Sequence, residues 1–205
     1  GLYWGGFVDT RKVWEFIPEN LYRSSKRSSL GKPFNPSSDF KEAIRLNKEG
    51  LANISGIQGH LWSESLNGED QMLEYYYLPR LIGLSERAWA AHPKWAMVED
   101  PLIRAEQENT AWNSFVYKLA SKELPRLNYF NGGYRYRIPT PGAIRDRGLL
   151  KINHIYGMDV RYTTDGSEPS FSSTLYTQPI KVDGDVLIKA FDKTNGSSLS
   201  MGLLN

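Results

Sequence analysis

The chain has 205 residues, a net charge of +2, abundant aromatics with six Trp and twelve Tyr, and no cysteine. That length holds one large domain or two small ones, and the near-neutral charge gives no strong pull toward nucleic acid or an anionic membrane. Without cysteine there is no disulfide framework and no thiol chemistry, and no apolar run is long enough for a membrane helix.

Residues 1–21 read as loop plus a short strand or turn, with Gly5-Gly6 breaking regularity and Trp4 exposed to choice between a buried anchor and a ligand contact. Trp14 and Phe16 alternate as strand residues do and are assigned to core packing. Residues 23–38 are a polar loop. Its Arg23, Lys26, Arg27 and Lys32 lack interleaved aromatics, so they read as solvated charge and not as a phosphate site. Residues 39–49 carry Phe40, Ile44 and Leu46 at near-helical spacing, with Ser38 or Asp39 as N-cap and Gly50 as stop.

The stretch that follows, 54–62, is predicted as a buried strand. Alternation puts Gln58, His60, Trp62 and Glu64 on one side, so an indole and a carboxylate stand together at its end. A flat apolar ring beside a double acceptor suits a sugar, whose C–H face lies on the indole while its hydroxyls donate to the carboxylate. The other reading of Trp62 is core packing. Glu64 taken by itself is also a candidate general acid, since a carboxylate beside an indole can have a raised pKa. Against that, no second carboxylate stands nearby in the motif.

Residues 67–70 form a turn, 71–77 a first helical turn, and 79–89 an amphipathic helix that holds Arg80, Glu86 and Arg87 partly buried. The three histidines show no metal-ligand spacing. Asp100-Pro101 starts a helix that runs to about Leu124, with Ile103, Trp112, Phe115, Val116 and Leu119 as its buried stripe. Residues 125–133 are the expected boundary. Beyond them, 134–138, 149–152, 160–163, 180–182, 186–191 and 198–203 read as short strands. Asp165-Gly166, Asp183-Gly184 and Asn195-Gly196 supply turns between them, which is the pattern of a β-sandwich. Tyr156, Tyr162 and Tyr176 serve equally well as strand filling or as ligand contacts.

GIQGHLWSE (56–64) followed by YLPRLIGLSERAW (77–89) resembles the eighth strand and eighth helix of the glycoside hydrolase family 20 β-N-acetylhexosaminidases and chitobiases. LYWGGFVDTRKVWEFIPENL (2–21) is similar to the segment after that family's seventh strand, and VRYTTDGSEP (160–169) to the small C-terminal domain of many members. The resemblance implies an α/β plus β fold: residues 1–126 as the incomplete C-terminal end of a TIM (β/α)8 barrel, and 127–205 as a small immunoglobulin-like β-sandwich. It implies that Trp62 stacks under the terminal sugar, that Glu64 accepts from its outer hydroxyls, and that Trp4 lines the leaving-group side. It places Arg80, Glu86 and Arg87 in structural pairs outside the site.

The family releases terminal N-acetylglucosamine or N-acetylgalactosamine by substrate-assisted retention, an exception to the two-carboxylate scheme. The substrate's acetamido oxygen attacks, a glutamic acid protonates the leaving oxygen, and the preceding aspartate orients the acetamido group. No metal or cofactor is needed. This sequence has no Asp followed directly by Glu, so no catalytic residue is assigned within it and the chain alone is expected to be inactive. Gly1 opens in mid-pattern, and the chain reads as a piece of a longer protein. The implied partner is an N-acetylhexosamine-containing glycan or chito-oligosaccharide, and the implied location periplasmic, cell-surface or secreted. A non-catalytic carbohydrate-binding or structural module is the other class of function, and self-association is expected of a partial barrel.

Overall fold

A computed structural model describes residues 8–24, 26–27, 32–62, 68, 71–90, 92–194 and 196–203. Two compact units divide it: Gly1–Asn67 with Tyr77–Glu108, and Gly68–Tyr76 with Asn109–Asn205.

The first unit is helical. α1 (Thr10–Trp14) starts at Asp9, whose carboxylate accepts from the Lys12 N–H at 2.8 Å. Trp14 is therefore helical, not a strand residue, and it is buried. α2 (Leu21–Ser24) and α3 (Pro36–Asp39) are single turns. Residues 39–49 do not form the predicted helix. Asp39 closes α3, where its carboxylate accepts from Asn35 N–H at 2.8 Å, and Asn47 caps a separate start for α4 (Lys48–Ala52). The reason lies in burial: Ile44 is 90% exposed and Leu46 is exposed too, so no packed face supports a helix through them.

The predicted strand at 54–62 is likewise absent. A strand exists only through its ladder, and none of the described residues pairs with this stretch. The expected alternation holds only in part: Ile57 and Leu61 are half-buried and Gln58, His60 and Trp62 exposed, but Ile54 is half-buried and Gly59 exposed. α6 (Arg80–Trp89) matches its predicted span, after α5 (Met72–Tyr77), of which all but Tyr77 falls in the second unit. α1 packs on α6.

α7 (Pro101–Lys118) begins as predicted. The Asp100 carboxylate accepts from Leu102 and Ile103 N–H at 2.8 and 3.0 Å. It runs on through a π-helical turn (Leu119–Glu123) into α8 (Leu124–Leu127). Trp112, Phe115, Val116 and Leu119 are buried, as the stripe requires, while Ile103 is exposed.

The second unit holds the β elements. β1 (Gly142–Asp146) and β2 (Leu149–Asn153) form an antiparallel hairpin with Asp146 opposite Leu149. Its two-residue turn, Arg147-Gly148, has φ of 51° and 76°, the backbone of a type I′ turn. A second antiparallel sheet has the order β4-β3-β5-β6, with β3 (Asp159–Thr163), β4 (Thr174–Leu175), β5 (Val186–Phe191) and β6 (Met201–Leu203). Leu150 and Ile152 from one sheet share a core with Val160, Val186, Ile188 and Ala190 from the other. Tyr156 is buried, and Tyr162 and Tyr176 pack against that core, so all three fill strands or their margins.

Residues 134–138 form no strand: no ladder partner pairs with them among the described residues. Arg135 N–H donates to the Glu74 carboxylate at 3.0 Å, and Tyr136 O–H donates to Asp192. Of residues 180–182 only Ile180 bridges, to Leu150.

Candidate functional site

Of the three residues assigned to sugar contact, Trp4 and Glu64 lie outside the described residues. Trp62 is described, and its indole is 59% exposed. The stretch leading to it is held from below by α6: a Cβ built on Gly59 would stand 2.7 Å from Leu84 Cδ2. Glycine permits that approach, and it leaves the opposite face of the stretch to solvent.

Around α6 the first unit has an aromatic centre. Trp14 and Trp95 stack with ring centroids 5.4 Å apart and planes 25° apart. The Arg87 guanidinium lies 5.6 Å from the Trp14 centroid and 5.7 Å from that of Trp95, which is cation–π distance for both rings. Arg87 is only 5% exposed, and its Nε and Nη1 have no hydrogen-bond partner among the described residues. Burial lowers its pKa, while the charges of Glu86 and Glu19 oppose that shift. Glu19 is itself 2.9 Å from His92 Nδ1. Arg87 thus lies within cation–π reach of two indoles, beside the charges of Glu86 and Glu19. Hydrophobic periodicity cannot reveal this.

Elsewhere in the unit, Lys26 Nζ bridges Glu15 and Glu108, 2.6 Å from each. Glu15 has a raised pKa, first from burial and then from neighbouring Glu108, with Lys26 opposing. Arg23 donates to the Ala96 carbonyl at 2.6 Å and pairs with Glu99 at 2.7 Å. Two of the cations read as solvated loop charge are therefore tied into the helical unit. Among the described residues no His, Asp and Glu cluster could hold a metal ion, and no helix is long and apolar enough to cross a membrane.

The helical segment matches the catalytic domain of glycosyl hydrolase family 20 over residues 3–92, and the β segment matches the chitobiase/beta-hexosaminidase C-terminal domain over 123–200. Along both segments the chain is similar to glycosyl hydrolase family 20 proteins. Among curated proteins it is 27% identical to a beta-hexosaminidase of Vibrio vulnificus over 81% of this chain and 20% of that protein. It is 28% identical to the N,N'-diacetylchitobiase of Vibrio harveyi over 95% of this chain and 22% of that protein. A third relative, beta-hexosaminidase B of Pseudoalteromonas piscicida, is 33% identical over 47% of this chain and 12% of that protein. The chain thus spans about a fifth of the length of the first two relatives.

Proposed function

We propose that the chain supplies the sugar-holding edge of a β-N-acetylhexosaminidase acting on terminal N-acetylglucosamine or N-acetylgalactosamine of glycans such as chito-oligosaccharides. The match of residues 3–92 to the family's catalytic domain carries this reading. In it, residues 1–126 complete the end of a (β/α)8 barrel and 127–205 form an immunoglobulin-like sandwich. Trp62 stacks under the terminal sugar, Glu64 accepts from its outer hydroxyls, and Trp4 bounds the leaving-group side. The exposed Trp62 indole supports the first assignment. Protonation of the leaving oxygen falls to an Asp-Glu pair elsewhere in the enzyme, since this sequence contains none.

That same lack favours one other reading, a module that binds glycan without cleaving it. One set of assays separates the two. The chain alone should not hydrolyse a chromogenic N-acetylglucosaminide, because general acid catalysis contributes ~10²–10⁴-fold. Joined to the rest of its catalytic domain it should, and Glu64→Gln should then lower kcat/KM about tenfold to a hundredfold, the worth of a charged hydrogen bond. An unchanged kcat/KM would remove Glu64 from the site. A joined protein without turnover would leave the binding module as the function.

A further inference from the structure

Arg87 is an expensive residue to bury. A guanidinium loses its water there, and with Nε and Nη1 unbonded among the described residues it regains little by hydrogen bonding. For filling space, a methionine or leucine would serve. What the cation adds is direction: it is attracted to ring faces, and here two stacked faces lie within reach.

The neighbours on α6 show what that direction holds in place. Gly83 and Arg87 are four positions apart and lie on one face of the helix, with Leu84 one position from Gly83 and three from Arg87. At Gly83 a Cβ would stand 3.1 Å from both the Thr10 Cγ2 and the Thr10 carbonyl oxygen of α1, so the two helices touch through backbone. One turn on, Arg87 reaches Trp14 at the other end of α1 and Trp95 beyond α6. Two points of contact fix the slide and rotation of α6 against α1. Leu84, between them in sequence, meets Gly59, just ahead of Trp62.

We propose that Arg87 is a positioning residue for the sugar-binding indole of Trp62. By holding α6 against the Trp14–Trp95 pair it sets where Leu84 meets Gly59, and so the height at which Trp62 is presented. The proposal rests on the reading of Trp62 as a substrate contact.

The test uses the intact enzyme labelled with 5-fluorotryptophan, with the Trp62 resonance assigned by its loss in Trp62→Phe. Arg87→Met should move the Trp62 resonance and raise KM about tenfold, with a smaller change in kcat, because a misplacement of about 1 Å can cost up to ~10²-fold. Arg87→Lys keeps the charge but not the planar stack, and should fall between wild type and Arg87→Met. Gly83→Ala, which forces α1 away without touching Arg87, should shift the same resonance and KM. If Arg87→Met does not fold, Arg87→Lys and Gly83→Ala carry the measurement. Variants that lower the melting temperature but leave KM and the Trp62 resonance unchanged would overturn the proposal and make Arg87 a packing residue only. If Trp62→Ala leaves KM unchanged, Trp62 is not a sugar contact. That outcome sinks the substrate-contact reading itself, and the positioning role with it.

Discussion

Leu150 and Ile180 exchange both of their backbone hydrogen bonds, at 2.8 and 3.1 Å. The exchange extends the β1–β2 hairpin by one residue. It comes from the same segment that pairs with β3 through Thr174 and Leu175, so residues 174–180 bind the two sheets to one another. Tyr176 reinforces the crossing: its N–H donates to the Val160 carbonyl at 2.8 Å, and its hydroxyl accepts from Ile152 N–H at 3.0 Å. Leu150 is 1% exposed at this junction. Leu150→Ala is expected to cost about 2–5 kcal/mol. Tyr176→Phe leaves the Ile152 N–H unsatisfied and should cost about 1–3 kcal/mol. Denaturant midpoints of the two variants check both numbers, and a Leu150→Ala cost below that of an exposed Leu→Ala change would mean the sheets do not share this core.

The hydrogen bonds of His154 fix its tautomer. Nε2 lies 2.8 Å from the Pro139 carbonyl and must donate to it, while Nδ1 faces the N–H groups of Tyr156 and Met158 at 3.4 and 3.3 Å and must accept. Burial lowers its pKa, and the bond to Pro139 opposes that shift. A folded-state value below the usual one means that the unfolded chain binds the proton more tightly. The stability His154 contributes is therefore present above pH about 6.5 and is lost as pH falls from there through the folded value. His154→Gln, which can donate and accept in the same places, should flatten the melting-temperature slope between pH 7.5 and 5. An unaltered slope would assign the effect to another group.

Glu15 runs the other way. Its raised pKa means that the folded state holds the proton more tightly than the unfolded one. Its contribution is most favourable at low pH and declines as pH rises from the ordinary carboxylate value through the raised one. Glu15→Gln removes that decline, and Lys26 keeps its second partner in Glu108. The variant should melt no lower than the parent at pH 7, and lower relative to it only under acid conditions. A clear loss of stability at pH 7 would show that the ion pair outweighs the cost of burying the carboxylate.

Self-association is the expected behaviour of the chain by itself. A barrel of this class takes eight strands and about 250 residues to close, and residues 54–62 find no ladder partner among the described residues. Trp89 is 90% exposed, with Leu81 also exposed on α6, and apolar surface of that kind favours association. Sedimentation at micromolar concentration should show species larger than the monomer. A stable monomer with one cooperative melt across the first 108 residues would sink this expectation.

Local rules were enough for several elements. The Asp-Pro start of α7, the limits of α6, and the strands at 149–153, 159–163 and 186–191 follow from caps and periodicity that involve only neighbouring residues. The rest depends on contacts between residues distant in sequence. Whether 54–62 becomes a strand turns on a partner to complete its ladder. Residues 134–138 likewise find no ladder partner, and the Arg135 N–H turns to Glu74 instead, which local propensity does not register. The β1 strand escaped notice because Arg147-Gly148 is not one of the usual turn dipeptides, yet the hairpin forms where its core faces Val160 and Ile188. Most of all, Arg87 reads in sequence only as a partly buried charge in a structural pair on an amphipathic helix. Only the fold brings Trp14 and Trp95 to it, because a cation's attraction to a ring depends on where the ring lies in space and not on its distance along the chain.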